Sequence, residues 1–225
     1  MGSKIKKEMC GDAYIVTVDM GYGHQRAVYP LKDIAACPEG ILAGGNNIIT
    51  ANTYPGIPKR DRRIWESGRS VYERLSRIKR VPVIGEFFFG FLDRFQQIEP
   101  FYPARDLSAP NLQVRQIYSL IRRGWGRDLI ATLNKNPLPY VTSFFTTAFF
   151  AEEHGYKGPI YAICTDTDVS RAWAPLEPKK SKIQYLVPNR RVKQRLMLYG
   201  VREEKILVTG FPLPKENIGD DLEII

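Results

Sequence analysis

Cysteine and histidine are scarce in this chain of 225 residues, three of the former and two of the latter. Cys10, Cys37 and Cys164 are odd in number, far apart and without CxxC spacing, so neither a zinc site nor a disulfide framework is expected and the three read as reduced thiols. Long apolar runs are missing too. The longest, Phe87-Phe88-Phe89-Gly90-Phe91-Leu92 and the threonine-interrupted stretch 144–151, fall well short of the ~18 residues that a membrane-spanning helix needs. The start, Met1-Gly2-Ser3-Lys4-Ile5-Lys6-Lys7-Glu8, is charged and lacks the apolar centre of a secretory signal, so a cytoplasmic location is expected. There is no internal repeat and no low-complexity segment, which sets aside solenoids and propellers.

What is present is an ordinary globular composition, 44% hydrophobic and 25% charged, over a length that suits one sizeable core. Lysine and arginine outnumber aspartate and glutamate by 33 to 24, and the resulting charge of +9 favours an anionic partner such as phosphate, a lipid surface or nucleic acid. No RNP, KH or helix-turn-helix signature supports nucleic acid, which is therefore not expected as a partner.

Apolar runs of strand length punctuate the chain. Tyr14-Ile15-Val16-Thr17-Val18 stops at the glycine-rich Asp19-Met20-Gly21-Tyr22-Gly23-His24, and further runs are Asn47-Ile48-Ile49-Thr50-Ala51-Asn52, Tyr140-Val141-Thr142, Pro159-Ile160-Tyr161-Ala162-Ile163-Cys164, Ile183-Gln184-Tyr185-Leu186-Val187 and Ile206-Leu207-Val208. Between the later runs lie helical patterns: 144–154, with Ser143 as its cap and Gly155 behind it, and a helix capped by Asn189 with Val192, Leu196 and Tyr199 on one face and Gly200 behind. Alternation of this kind predicts an α/β fold, a Rossmann-like parallel sheet with helices on both faces. Functional loops then belong at the carboxyl ends of the strands, which brings Gly21, Tyr22, Gly23 and His24 together with the loop from Thr165 to Arg171, with Asn189 and with Gly210 and Phe211 in one crevice.

The loop Gly21-Tyr22-Gly23-His24 has glycines where backbone passes close to a ligand, and it is open to two readings, a tight structural turn or an anion-binding loop. A dinucleotide fingerprint needs a third glycine where Arg26 stands, and the Lys-Ser/Thr ending of a P-loop is absent. His24 is either a general base for a sugar or lipid hydroxyl or a solvent-exposed capping side chain. His154, before Gly155, is explained by a helix carboxyl terminus.

Three of these features together resemble a known family. Gly21-Tyr22-Gly23-His24, Thr165-Asp166-Thr167-Asp168-Val169-Ser170-Arg171-Ala172-Trp173 and Tyr199-Gly200-Val201-Arg202-Glu203-Glu204-Lys205-Ile206-Leu207-Val208-Thr209-Gly210-Phe211-Pro212 are similar to the amino-terminal half of monogalactosyldiacylglycerol synthases and processive diacylglycerol glucosyltransferases. The related peptidoglycan glycosyltransferase has a similar glycine-histidine loop. The resemblance covers roughly 12–54 and 137–214. It implies one half of a GT-B fold, with His24 as catalytic base, Gly21 and Gly23 near the donor diphosphate, and Asp166 in the family's Thr-Asp motif. It implies an inverting transfer that needs no metal and no cofactor beyond a nucleotide sugar as co-substrate. The chain departs from the family at Tyr22, where a glycine is usual, and at Arg171, where a histidine is common.

Residues 55–127 interrupt the alternation and read as an insertion facing the acceptor or a membrane. Nine basic residues against three acidic ones lie between Lys59 and Arg80, and Phe87, Phe88 and Phe91 follow. Either the arginines meet anionic headgroups while the phenylalanines enter the interface, or both belong to a solvated helix packed on the sheet. The expectation is a single domain over 1–225, with an interdomain linker starting at 212–225. It would be the acceptor half of a glycosyltransferase acting on a lipid-linked or membrane-proximal acceptor, peripheral on the inner face of a membrane and inactive without a donor-binding domain or partner chain. The alternative is a non-catalytic subunit of the same fold that docks a partner chain or a membrane.

Overall fold

A computed structural model describes residues 10–38, 41, 47–78 and 98–214, with side chains absent from the description over 69–78. Phe87, Phe88 and Phe91 lie outside the described residues. The strands are β1 (Tyr14–Thr17), β2 (Ile49–Thr50), β3 (Tyr140–Thr142), β4 (Ile160–Ile163), β5 (Gln184–Val187) and β6 (Ile206–Val208). Among the described residues they form one six-stranded sheet in the order β2-β1-β3-β4-β5-β6, and every pair is parallel. The Rossmann-like α/β arrangement expected from the apolar runs is therefore present.

Each central strand is apolar on both faces because both are covered. Tyr14 and Val16 point into the larger core, while Ala13 and Ile15 point into a smaller one with Val28, Ala35, Val141 and Ile163. The smaller core is closed by α1 (Tyr22–Val28) and the 3-10 turn Tyr29–Ile34. The larger face is covered by α2 (Lys59–Ile78), α3 (Leu112–Arg122), α4 (Arg127–Leu133), α5 (Phe145–Glu153) and α6 (Arg190–Leu198). Phe149 and Phe150 of α5 and Val192 and Leu196 of α6 are completely buried there. The described parts of 55–127 share this core through Trp65, Val114, Tyr118 and Ile121. No helix among the described residues is long and apolar enough to cross a membrane.

The caps match the sequence in one case and not in the other. Asn189 Oδ1 accepts from Val192 N at 2.9 Å, as the Asn-x-x-Val spacing predicts. Ser143 does not cap α5. The cap position falls on Phe144, and the Ser143 hydroxyl pairs instead with Thr17 Oγ1 at 3.0 Å, since β1 lies alongside and buries it.

The reading of all three cysteines as thiols is also corrected. Cys10 and Cys37 form a disulfide, with Cα atoms 5.2 Å apart. The chain entering β1 is pinned to the end of the 3-10 turn by Gly11 N donating to Ala35 O (3.0 Å) and Ala36 N donating to Ala13 O (2.7 Å), which brings the two side chains together across 27 residues. Cys164 is free and buried, and burial pushes its thiol up to about 12.

Candidate functional site

Strand order locates the crevice. β1 has β2 on one side and β3 on the other, so the loops leaving the carboxyl ends of β1 and β3 diverge there and leave an opening between them. The β1 loop is held first by Asn52, beyond β2. Its side-chain amide accepts from Asp19 N at 2.8 Å and donates to Asp19 O at 3.2 Å, which continues the β1–β2 ladder by one side chain. Gln25 Nε2 then donates to Asp19 Oδ1 at 3.1 Å, tying the first turn of α1 back to the loop.

His24, the third residue of α1, reaches across the opening. Its Nδ1 lies 2.9 Å from Ser143 O at the end of β3, and Thr165 Oγ1 at the end of β4 is 3.4 Å from the same nitrogen. A carbonyl oxygen only accepts, so Nδ1 carries the proton and, in the neutral ring, Nε2 carries the lone pair. No partner for Nε2 occurs among the described residues. The ring stands edge-on to Phe144 at 4.9 Å. Burial holds the His24 pKa below its ordinary 6.5, with the Ser143 carbonyl and the Asp166 charge acting the other way. The imidazole is thus neutral at neutral pH, tautomerically fixed and able to accept a proton at Nε2.

The β4 loop forms the next wall. Asp166 is exposed, with Oδ2 accepting from Trp173 Nε1 at 3.1 Å, so its charge faces the crevice while its geometry is fixed from below. Asp168 has a different job. Arg195, with a side chain only 1% exposed, donates to both of its oxygens at 3.0 Å and Arg191 adds a third bond at 2.8 Å. Burial alone would raise the Asp168 pKa, but these guanidiniums hold the carboxyl below the usual range. Phe101 packs under both arginines, with Cζ to ring-centre distances of 4.9 and 5.2 Å. With Asn189 Nδ2 donating to Thr167 O at 3.1 Å and Tyr199 OH to Val169 O at 2.9 Å, α6 locks this loop in place.

The residues singled out from sequence separate accordingly. Gly21, Tyr22, Gly23, His24 and Asp166 line one opening, and Tyr22 is 82% exposed at its rim. Asn189 works as a helix cap behind the β4 loop. Gly210 and Phe211 follow β6, three strands from β3, and share the carboxyl side of the sheet without touching His24. Arg171 does not belong to the crevice, because its guanidinium is buried and spent on the carbonyls of Ser108 (3.1 and 2.7 Å), Ala174 and Pro175 (3.0 Å). Ser143, Phe144 and Asn52 are the site residues that motif reading passes over, whereas Thr165 belongs to the loop expected there. The loop after β3 was the available signal, since a parallel sheet opens its crevice beside the first strand. Among the described residues no group of three or more His, Cys, Asp or Glu side chains gathers as metal ligands do. No protein-family model, curated protein or solved structure matches the chain.

Proposed function

We propose that this chain is the acceptor-binding half of an inverting GT-B glycosyltransferase, which moves a sugar from a nucleotide sugar to a lipid-linked or membrane-proximal acceptor. A second domain or a partner chain binds the donor. The observation that carries this reading is the His24–Ser143 contact at the β1/β3 crevice: a neutral imidazole with Nδ1–H engaged and Nε2 left to take a proton. An acceptor hydroxyl gives its proton to Nε2 as its oxygen bonds to the anomeric carbon, and the bond from that carbon to the nucleotide diphosphate breaks with its electron pair leaving on the diphosphate. The imidazolium formed is stabilised by the Ser143 carbonyl and by Asp166, the same two groups that oppose the lowering of the His24 pKa. Exposed Lys59, Arg62 and Arg63 on the first turns of α2 favour an acceptor at an anionic membrane surface.

A second reading, a non-catalytic subunit that docks a partner chain, draws on β6. Among the described residues it is an edge strand, with Leu207 62% exposed beside the partly covered Leu186, a surface that another chain could pair with. One experiment separates the two. The tagged chain, recovered from its source cells with whatever accompanies it, is given radiolabelled UDP-sugars and a lipid extract. Label passing into lipid supports transfer; label left in nucleotide while a partner co-purifies supports the docking subunit.

A further inference from the structure

Outside the crevice, the junction between α2 and the turn from α3 to α4 brings two arginines to one point. α3 is closed, just past its cap Arg123, by Gly124, whose φ of 104° is a conformation that a side chain resists, with Gly124 N donating to Ile121 O at 2.7 Å and Trp125 N to Leu120 O at 3.1 Å. Gly126 follows with φ 80°, and a Cβ there would lie 2.3 Å from the Phe150 ring, so no larger residue fits. Its N–H donates to the buried Asp61 carboxylate at 2.9 Å, which sets the register of α2 against this turn. Arg60, the residue before that anchor, places Nη1 3.5 Å from the position a Gly124 Cβ would occupy, and Arg127, the residue after Gly126, places Cζ 3.9 Å and Nε 4.0 Å from the same position.

Neither guanidinium has a hydrogen bond or an ion pair among the described residues; the Arg60 charge acts on Asp61, yet the hydrogen bonds of the two carboxylates beside them in the chain go to other groups. Asp61 holds Gly126, and Asp128 accepts from Tyr54 OH at 2.9 Å. Trp125, between the two glycines, is buried with its indole N–H lacking an acceptor, so side-chain donors outnumber acceptors throughout the turn. Two like charges brought together beside one anchored turn, at a glycine whose missing side chain lets both guanidiniums approach, are arranged for an anion. Guanidinium forks match phosphate oxygens in number and plane.

We propose that Arg60 and Arg127 bind a phosphate ester over Gly124. The turn is joined to the crevice wall by packed rings, Trp125 lying 4.7 Å from Trp65, Trp65 6.1 Å from Phe144, and Phe144 4.9 Å from His24. The ligand chemistry is that of a phosphoester, carried either by a phosphate-bearing acceptor or by a headgroup of the surrounding membrane. Binding at this point does not depend on proton transfer at His24, so the site and the transferase reading fail separately.

The test compares wild type with Arg60→Gln/Arg127→Gln and, as a control for net charge, Lys135→Gln/Lys157→Gln, all four positions being exposed. Glycerol 3-phosphate is titrated calorimetrically, and sedimentation is measured with phosphatidylcholine vesicles with and without phosphatidylglycerol. Loss of about tenfold or more in affinity for either probe, confined to the arginine pair, is expected from removing two charge-assisted contacts. Loss with glycerol 3-phosphate identifies a free phosphoester as sufficient, and loss only with phosphatidylglycerol vesicles identifies the lipid headgroup. Equal weakening by both double variants, unchanged binding in the arginine variant, or binding of an RNA oligonucleotide but neither phosphoester probe would overturn the proposal.

Discussion

The Nδ1 atom of His24 lies 2.9 Å from the carbonyl oxygen of Ser143, so an imidazole on the first helix is held by main chain 119 residues away. The Ser143 hydroxyl, paired with Thr17 Oγ1 at 3.0 Å in a buried contact, fixes that carbonyl to β1 itself. One residue thereby joins the two strands that bound the crevice and chooses which nitrogen of His24 is free.

The first prediction concerns the charge of that ring. Since burial lowers the His24 pKa, its NMR titration midpoint should fall below 6.5, with the resonance assigned by its absence in His24→Gln. Linkage has a definite sign here. Below 6.5 the unfolded chain binds the proton that the folded one refuses, so the contribution of His24 to stability is present above 6.5 and declines as pH falls through that value. A midpoint at or above 6.5 would contradict the neutral-base assignment.

Asp168 is expected to matter for stability and for the shape of the β4 loop. Asp168→Ala leaves the buried guanidinium of Arg195 without a counter-charge, held only by the Glu99 carbonyl (2.7 Å) and the Phe101 ring, so urea unfolding should show a loss of about 3 kcal/mol. Arg195→Met, an apolar replacement that still fills the space but leaves Asp168 bonded to Arg191, should cost less. Because its carboxyl is held below the usual range, the stabilisation by Asp168 is present above that range and is lost as pH falls through the folded value. Equal stability of Asp168→Ala and wild type would show that the two arginines do not bind it in solution.

The Cys10–Cys37 bond closes a loop of 27 residues, and the chain-entropy relation assigns such a closure about 3.5 kcal/mol. Cys10→Ser should therefore unfold at distinctly lower urea. Thiol titration of the unfolded, unreduced protein should find Cys164 alone. Such a bond persists in oxidising surroundings. Three thiols in protein alkylated during lysis would instead restore the reading of three reduced thiols made from cysteine spacing.

The inner strands were legible because burial on both faces leaves an unbroken apolar record: Tyr14-Ile15-Val16-Thr17 coincides with β1 and Ile160-Tyr161-Ala162-Ile163 with β4, while β6, with Leu207 and Val208 exposed, was legible from its short apolar run alone. The Asn189 cap was legible because capping is local, three residues from donor to acceptor. The parts of the site that escaped notice are those whose partners are distant or made of main chain. Ser143 acts through a carbonyl, which has no residue signature, and Asn52 holds a backbone 33 residues away. Arg171 looked like a crevice residue from its place in the Thr-Asp run, yet the 3-10 turn Arg171–Trp173 carries it inward to carbonyls that include that of Ser108, 63 residues earlier. The Cys10–Cys37 pairing depends on the path of the chain between its two ends, which spacing does not encode.

The most direct measurement is the rate of sugar transfer by His24→Gln against wild type, each in complex with its donor-binding part, alongside their thermal unfolding curves. If Nε2 of His24 takes the acceptor proton, turnover falls by about a hundredfold or more, as for loss of a general base, while the unfolding midpoint stays close to that of wild type. Near-normal turnover in a folded His24→Gln protein would contradict the assignment.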